Sequence, residues 1–170
     1  TIHYDSDQSS SSSTPKLIFS APALDGEGYR WTIHDKKTFD IVHKTGVRIV
    51  VGGLSKLVGA FSDSLKVKRD FYMNAVVIPS GGDEFRRRYV LAATDSRWES
   101  LLNSEIERLI LNWPDFKQTM SLRDNCFSAE LSPQGLRVTL YCDAPEFAVI
   151  EQMATLGQCL MEETTRIKAN

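Results

Sequence analysis

The chain has 170 residues, of which 42% are hydrophobic and 25% charged, so it is not disordered, collagen-like or coiled-coil as a whole. Acidic side chains number 22 and basic ones 20, a net charge of −2 that lacks the basic surplus of a typical nucleic-acid binder. A single domain of this size buries roughly 70% of its unfolded surface, enough to fold without a disulfide or a metal.

Three cysteines, Cys126, Cys142 and Cys159, form no CxxC pair. Their odd number favours a reducing compartment, the cytoplasm or the cytoplasmic face of a membrane. The densest apolar run, Val47 to Leu54, has the length of a buried strand and falls well short of a bilayer span. The first residue is Thr1, with none of the basic and apolar regions of a signal peptide. This reads as a processed or trimmed end, ahead of which an anchor can lie.

In chain order, residues 1–16 carry Asp5, Asp7 and the run Ser9 to Ser13, too polar to offset their ordering entropy. They read as a flexible tail or linker, with a single α+β domain over 17–170. Tyr29, Trp31 and Ile33 alternate with polar neighbours as in a strand. Asp35-Lys36-Lys37 then reads as a turn, and Phe39 and Ile41 resume the alternation. Val47 to Val51 is apolar enough for a central strand. Leu54, Leu57, Val58, Phe61 and Leu65 fall at helical steps, although Gly52, Gly53 and Gly59 allow two short strands instead. Val67, Phe71, Met73, Ala75 and Val77 share one face of an extended run that ends at Pro79-Ser80-Gly81-Gly82.

The second half continues with a strand over Phe85 to Ala93. Ser96-Arg97-Trp98-Glu99 has the form of a capping box and opens a helix over about 96–113, with Pro114 beyond it. Thr119 to Leu122 reads as a short strand. Cys126 to Leu131 and Leu136 to Cys142 flank Ser-Pro-Gln-Gly as a hairpin. A three-residue loop, Pro133 to Gly135, sets Cys126 opposite Cys142 as reduced neighbours, whereas a two-residue loop shifts them off by one. Asp143-Ala-Pro-Glu146 caps a last helix over about 144–165, which presents Phe147, Ile150, Met153, Ala154, Gly157, Leu160 and Met161. The C-terminal order β-α-β-β-β-α predicts an α+β fold: a mainly antiparallel sheet with two helices packed on it.

Chemistry is sparse. Gly52-Gly53-Leu54-Ser55-Lys56 lacks the spacing of a P-loop, and GxGxxG and GxSxG are both missing. His34 and His43 flank a turn without an HExxH or Cys/His cluster and read as surface imidazoles, so no metal or cofactor is expected. The cysteines fall on strands or a helix, where small buried hydrophobes are common. Charge is the uneven feature. Residues 65–88 hold six basic side chains (Lys66, Lys68, Arg69, Arg86, Arg87 and Arg88) against three acidic ones, while 143–163 hold five acidic and no basic ones. If the strands on either side of Pro79 to Gly82 pair, Lys66, Lys68, Arg69, Arg86 and Arg88 form one basic surface. Such a surface suits phosphate groups, an acidic protein or an anionic membrane; a plainer account has arginines protecting an exposed strand.

From Gly46 onward the chain resembles a loosely defined group of uncharacterised bacterial proteins, in which an α+β domain follows membrane helices and a flexible linker. The likeness is carried by Gly46-Val-Arg-Ile-Val-Val-Gly, by Phe85-Arg-Arg-Arg-Tyr-Val-Leu-Ala-Ala-Thr-Asp, by Leu101-Leu102 with Ile106, and by the final apolar helix. These are packing positions, so the resemblance implies a tethered domain and transfers no catalytic residue. Two functional readings follow. One is a non-enzymatic binding or assembly module. The other is a small hydrolase with a site assembled from residues distant in sequence.

Overall fold

The computed structural model describes residues 1–5, 15–22, 30–37, 39–40, 70–113 and 127–169. Seven antiparallel strands make one sheet: β1 (Ile2–Asp5), β2 (Lys16–Ala21), β3 (Trp31–Asp35), β4 (Val76–Ile78), β5 (Tyr89–Ala93), β6 (Phe127–Ser132) and β7 (Gly135–Tyr141). Their spatial order is β1-β2-β7-β6-β3-β5-β4. With them come helices α1 (Asp83–Arg88), α2 (Ser104–Leu111) and α3 (Phe147–Ala169), and a 3-10 helix over Ser96–Leu101. The fold is α+β with an antiparallel sheet, as the sequence predicts.

Alternation decides what each face of the sheet meets. Trp31 and Ile33 of β3, Leu91 and Ala93 of β5, Phe127 and Ala129 of β6, and Val138 and Leu140 of β7 share one face. They form the main core with Trp98, Ile106, Ile110, Met153, Leu156 and Leu160 from the helices. Val90 and Ala92 point the other way and pack with Phe39, Phe71 and Tyr72 in a smaller cluster. Both faces of the β3–β5 region are therefore buried.

The helical layer is fastened by polar contacts as well as by burial. Asn103 caps α2, its Oδ1 accepting from the Glu105 and Ile106 amides, while its Nδ2 donates to Glu163 of α3 at 3.0 Å. At the other end of α2, Gln152 Nε2 donates to the carbonyls of Leu109 and Asn112. These caps explain why the helix predicted over 96–113 is two pieces. Asp95, rather than Ser96, caps the first, accepting from the Arg97 amide, and Asn103 starts a second.

Other expectations give way for local reasons. Ile2–Asp5 lies in the sheet rather than in a tail: Ile2 faces Phe19 and Tyr4 faces Leu17. The edge strand is fastened by the Thr1 nitrogen donating to the Ser20 carbonyl at 2.8 Å and by Asp5 to Lys16 at 3.2 Å. The serine run between these strands lies outside the described residues. Lys36, Lys37, Phe39 and Asp40 are helical where a turn and renewed alternation are predicted, and Asp70 to Asn74 are helical where an extended run is predicted. Residues 83–88 are helix rather than the start of a strand, with Asp83 and Glu84 in the first turn and three arginines in the last. That order of charge suits the helix dipole. The last helix begins at Phe147 and runs to Ala169; it buries Val149 and Leu156, while Phe147 is 73% exposed. Val47 to Val51, the pattern at 54–65, and Thr119 to Leu122 lie outside the described residues.

The hairpin has the two-residue loop. Leu131 faces Leu136 and Phe127 faces Leu140, one residue off the register that would set Cys126 against Cys142. Ser132 at the first turn position, Pro133 at the second and Gly135 at the fourth are the residues a type I turn favours. Only Gly135 needs a positive φ, 115°, and the Ser132 hydroxyl binds Gln134 and the Gly135 carbonyl across the turn. Cys142 is buried, and Cys126 lies outside the described residues.

Helix α3 packs closely on the sheet at Gly157, where an added Cβ would lie 2.6 Å from the tip of the Phe19 ring. Gly157→Ala should therefore lower stability by about 1–2 kcal/mol, overpacking outweighing a helix-propensity gain of roughly 1 kcal/mol. Chemical denaturation measures this. Phe19→Leu in the same chain should recover part of the loss, and a stabilised Gly157→Ala single variant would show that the contact is slack.

Candidate functional site

The basic residues singled out from sequence divide into two groups. Lys66, Lys68 and Arg69 lie outside the described residues. Arg86 and Arg88 sit on α1, exposed, and helical spacing replaces the strand alternation that would have aligned them. Arg86 donates to the Gly81 carbonyl at 2.7 Å and to Asp83 at 2.5 Å. Arg88 pairs loosely with Glu84 at 3.9 Å and lies over the Tyr89 ring at 5.5 Å. Most of the positive charge of α1 is thus balanced within the helix, and Arg87 is its surplus cation. Gln replacements of Arg86 and Arg88 should each change stability by less than about 0.5 kcal/mol, as for exposed pairs. Denaturant midpoints of the two variants check this, and a loss well above 1 kcal/mol for Arg86→Gln would mean that it pins the Gly81 loop.

The loop that Arg86 grips leaves β4, and β4 is the more distinctive surface. Val76 faces Ala93, Val77 faces Ala92 and Ile78 faces Leu91, so β5 is the one neighbour β4 has among the described residues. Val76 and Val77 point to opposite faces, yet they are 52% and 53% exposed. Met73, just before them, is 39% exposed. Between Asn74 and Gly82 no side chain carries charge. Strand edges are ordinarily blunted by lysine, proline, bulges or covering loops. Here, among the described residues, the shortness of β4 and Pro79 at its end serve that purpose.

The opposite edge is protected. β1 carries His3, Tyr4 and Asp5, its Asp5 is paired with Lys16, and the Tyr4 hydroxyl accepts from the Ala144 amide at 3.0 Å. The two ends of one sheet therefore differ in kind. The sequence places an extended run ending at Ile78 that pairs across Pro79 to Gly82, and β4 does pair with β5, but nothing in its alternation marks the exposed outer edge.

His34 also departs from its expected surface role. It is half-buried on the far face of β3, between Val90 and Ser128 on neighbouring strands. Its Nε2 is 2.7 Å from the Tyr72 hydroxyl. The helical placement of Tyr72 makes this contact, and nothing in the local sequence around His34 marks it. His43 lies outside the described residues.

The remaining groups with possible chemistry are subdued. Burial pushes the half-buried Cys159 thiol up, and Glu105, Glu162 and Glu163 add to the effect, which makes it a poor nucleophile at neutral pH. Burial works to raise the Asp95 carboxyl, but the hydrogen bonds and charge of Arg97 hold it below the ordinary value. Among the described residues no group of three or more His, Cys, Asp or Glu side chains is placed to hold a metal ion, and no helix is long and apolar enough to cross a membrane. No family model, curated protein or solved structure matches the chain.

Proposed function

We propose that the protein is a non-enzymatic binding module that works by strand addition at β4. The observation that carries this reading is the open, uncharged edge, with Val76 and Val77 both about half exposed on opposite faces of the strand. An extended segment laid beside β4 gains main-chain hydrogen bonds, and the two valines give its alternating side chains apolar neighbours on each face. The far side of β5 is already occupied by β3, so the support for β4 is a rigid, two-sided core. An acidic protein or an anionic membrane, the partners that charge suggests, would engage, among the described residues of the predicted basic surface, mainly Arg87 on α1. That is a thin basis beside a whole strand edge.

A hydrolase remains the second reading because His34, oriented by Tyr72, stands across from Ser128, a nucleophile-base-orienter order of residue types. Its chemistry would centre on the far sheet face and leave β4 without a part.

Selection from a displayed library of random ten-residue peptides tests the strand-addition reading. The wild-type chain should enrich peptides with alternating β-branched and aromatic residues, and Val77→Lys, at an exposed position that tolerates lysine, should enrich none of them. No enrichment, or equal enrichment on both proteins, overturns it.

A further inference from the structure

We infer that the strand β4 takes up is the β4 of a second copy of this chain, paired antiparallel about a two-fold axis through Val77. This rests on the reading of β4 as a strand-accepting edge and names the occupant.

Two features favour the second copy. First, the edge is complementary to itself. An axis at Val77 sets Val77 against the partner's Val77 and Val76 against the partner's Ile78, so aliphatic residues meet aliphatic residues and no charge is buried. Cross-strand pairs of β-branched residues are among the favourable ones. Second, the pairing closes. β4 on β4 uses both unprotected edges and leaves the two blunted β1 edges outside, whereas β4 on β1 would leave an open edge at each step and build a chain.

The same features set the strength. A three-residue strand with Met73 and the α1 flank buries less than a standard interface, so the dimer is a weak one that forms with rising concentration. Such a contact makes a fourteen-stranded sheet from two seven-stranded ones.

Sedimentation of the full chain from about 10 to 500 µM, a range that spans weak association, tests the inference for wild type, Val77→Lys and Val77→Thr. Circular dichroism and thermal melting should be the same for all three, because Val77 is half exposed. The wild-type average mass should climb toward twice the monomer. Val77→Lys should stay monomeric throughout, and Val77→Thr, which keeps the β-branch, should associate as wild type does. A wild type that stays monomeric overturns the inference, as does a Val77→Lys that dimerises equally or a wild type that grows past the dimer. If the wild type stays monomeric while displayed peptides are still selected at β4, the inference falls and strand addition stands. If neither occurs, both fall.

Discussion

Trp31 has no exposed surface in the middle of the sheet, with Ala93 beside it on β5 and Leu131 beside it on β6. The position of β3 between two strands from the second half of the chain constrains everything else. Because β6 occupies one side of β3, the β6–β7 hairpin must extend toward β2 and β1. Because β5 occupies the other, the connection from β4 through α1 turns back at the far end of the sheet. Among the described residues β4 is left with a single neighbour, β5. The burial of both faces of β3 and β5 fixes that arrangement, since a slip of one residue would exchange the Trp31–Ile33 face for the Thr32–His34 face.

How much of this is legible in the sequence depends on the range of the interaction that decides each element. Strand β3, the hairpin strands and the last helix carry their periodicity locally and all three form, although the hairpin register shifts by one and the last helix runs from Phe147 to Ala169 with Phe147 exposed. Elements decided by tertiary contacts do not. Phe85-Arg-Arg-Arg-Tyr reads as a strand by alternation. Yet Phe85 and Tyr89 meet one helical turn apart, with ring centroids 5.5 Å apart, and bury into the same core. The Gly82 amide, which begins α1, donates to the Glu107 carboxylate, a residue distant in sequence. Ile2 and Tyr4 are too few to predict a strand, and what orders them is β2 on one side and the turn before α3 on the other. The loop length shows the reverse error. Ser-Pro-Gln-Gly fits a two-residue type I turn on its own terms, where the three-residue loop is expected.

The candidate site was legible only in part. Clustered arginines are easy to see, but helix α1 supplies their counter-charges within one turn. An open edge cannot be seen from sequence, because openness is a property of what fails to pack there. Val76 and Val77 look like core residues until the topology removes their outer neighbour.

The central claim is that β4 is an open edge whose outer face pairs with another strand. Amide hydrogen exchange at Val76, Val77 and Ile78, compared with Trp31 to Asp35, tests it most directly. Alternation turns at least one of the three β4 amides outward. In dilute protein that amide should exchange rapidly while β3 stays protected, and it should gain protection as concentration rises. Strong protection of all three at every concentration would show that the edge is already covered, and the account would be wrong.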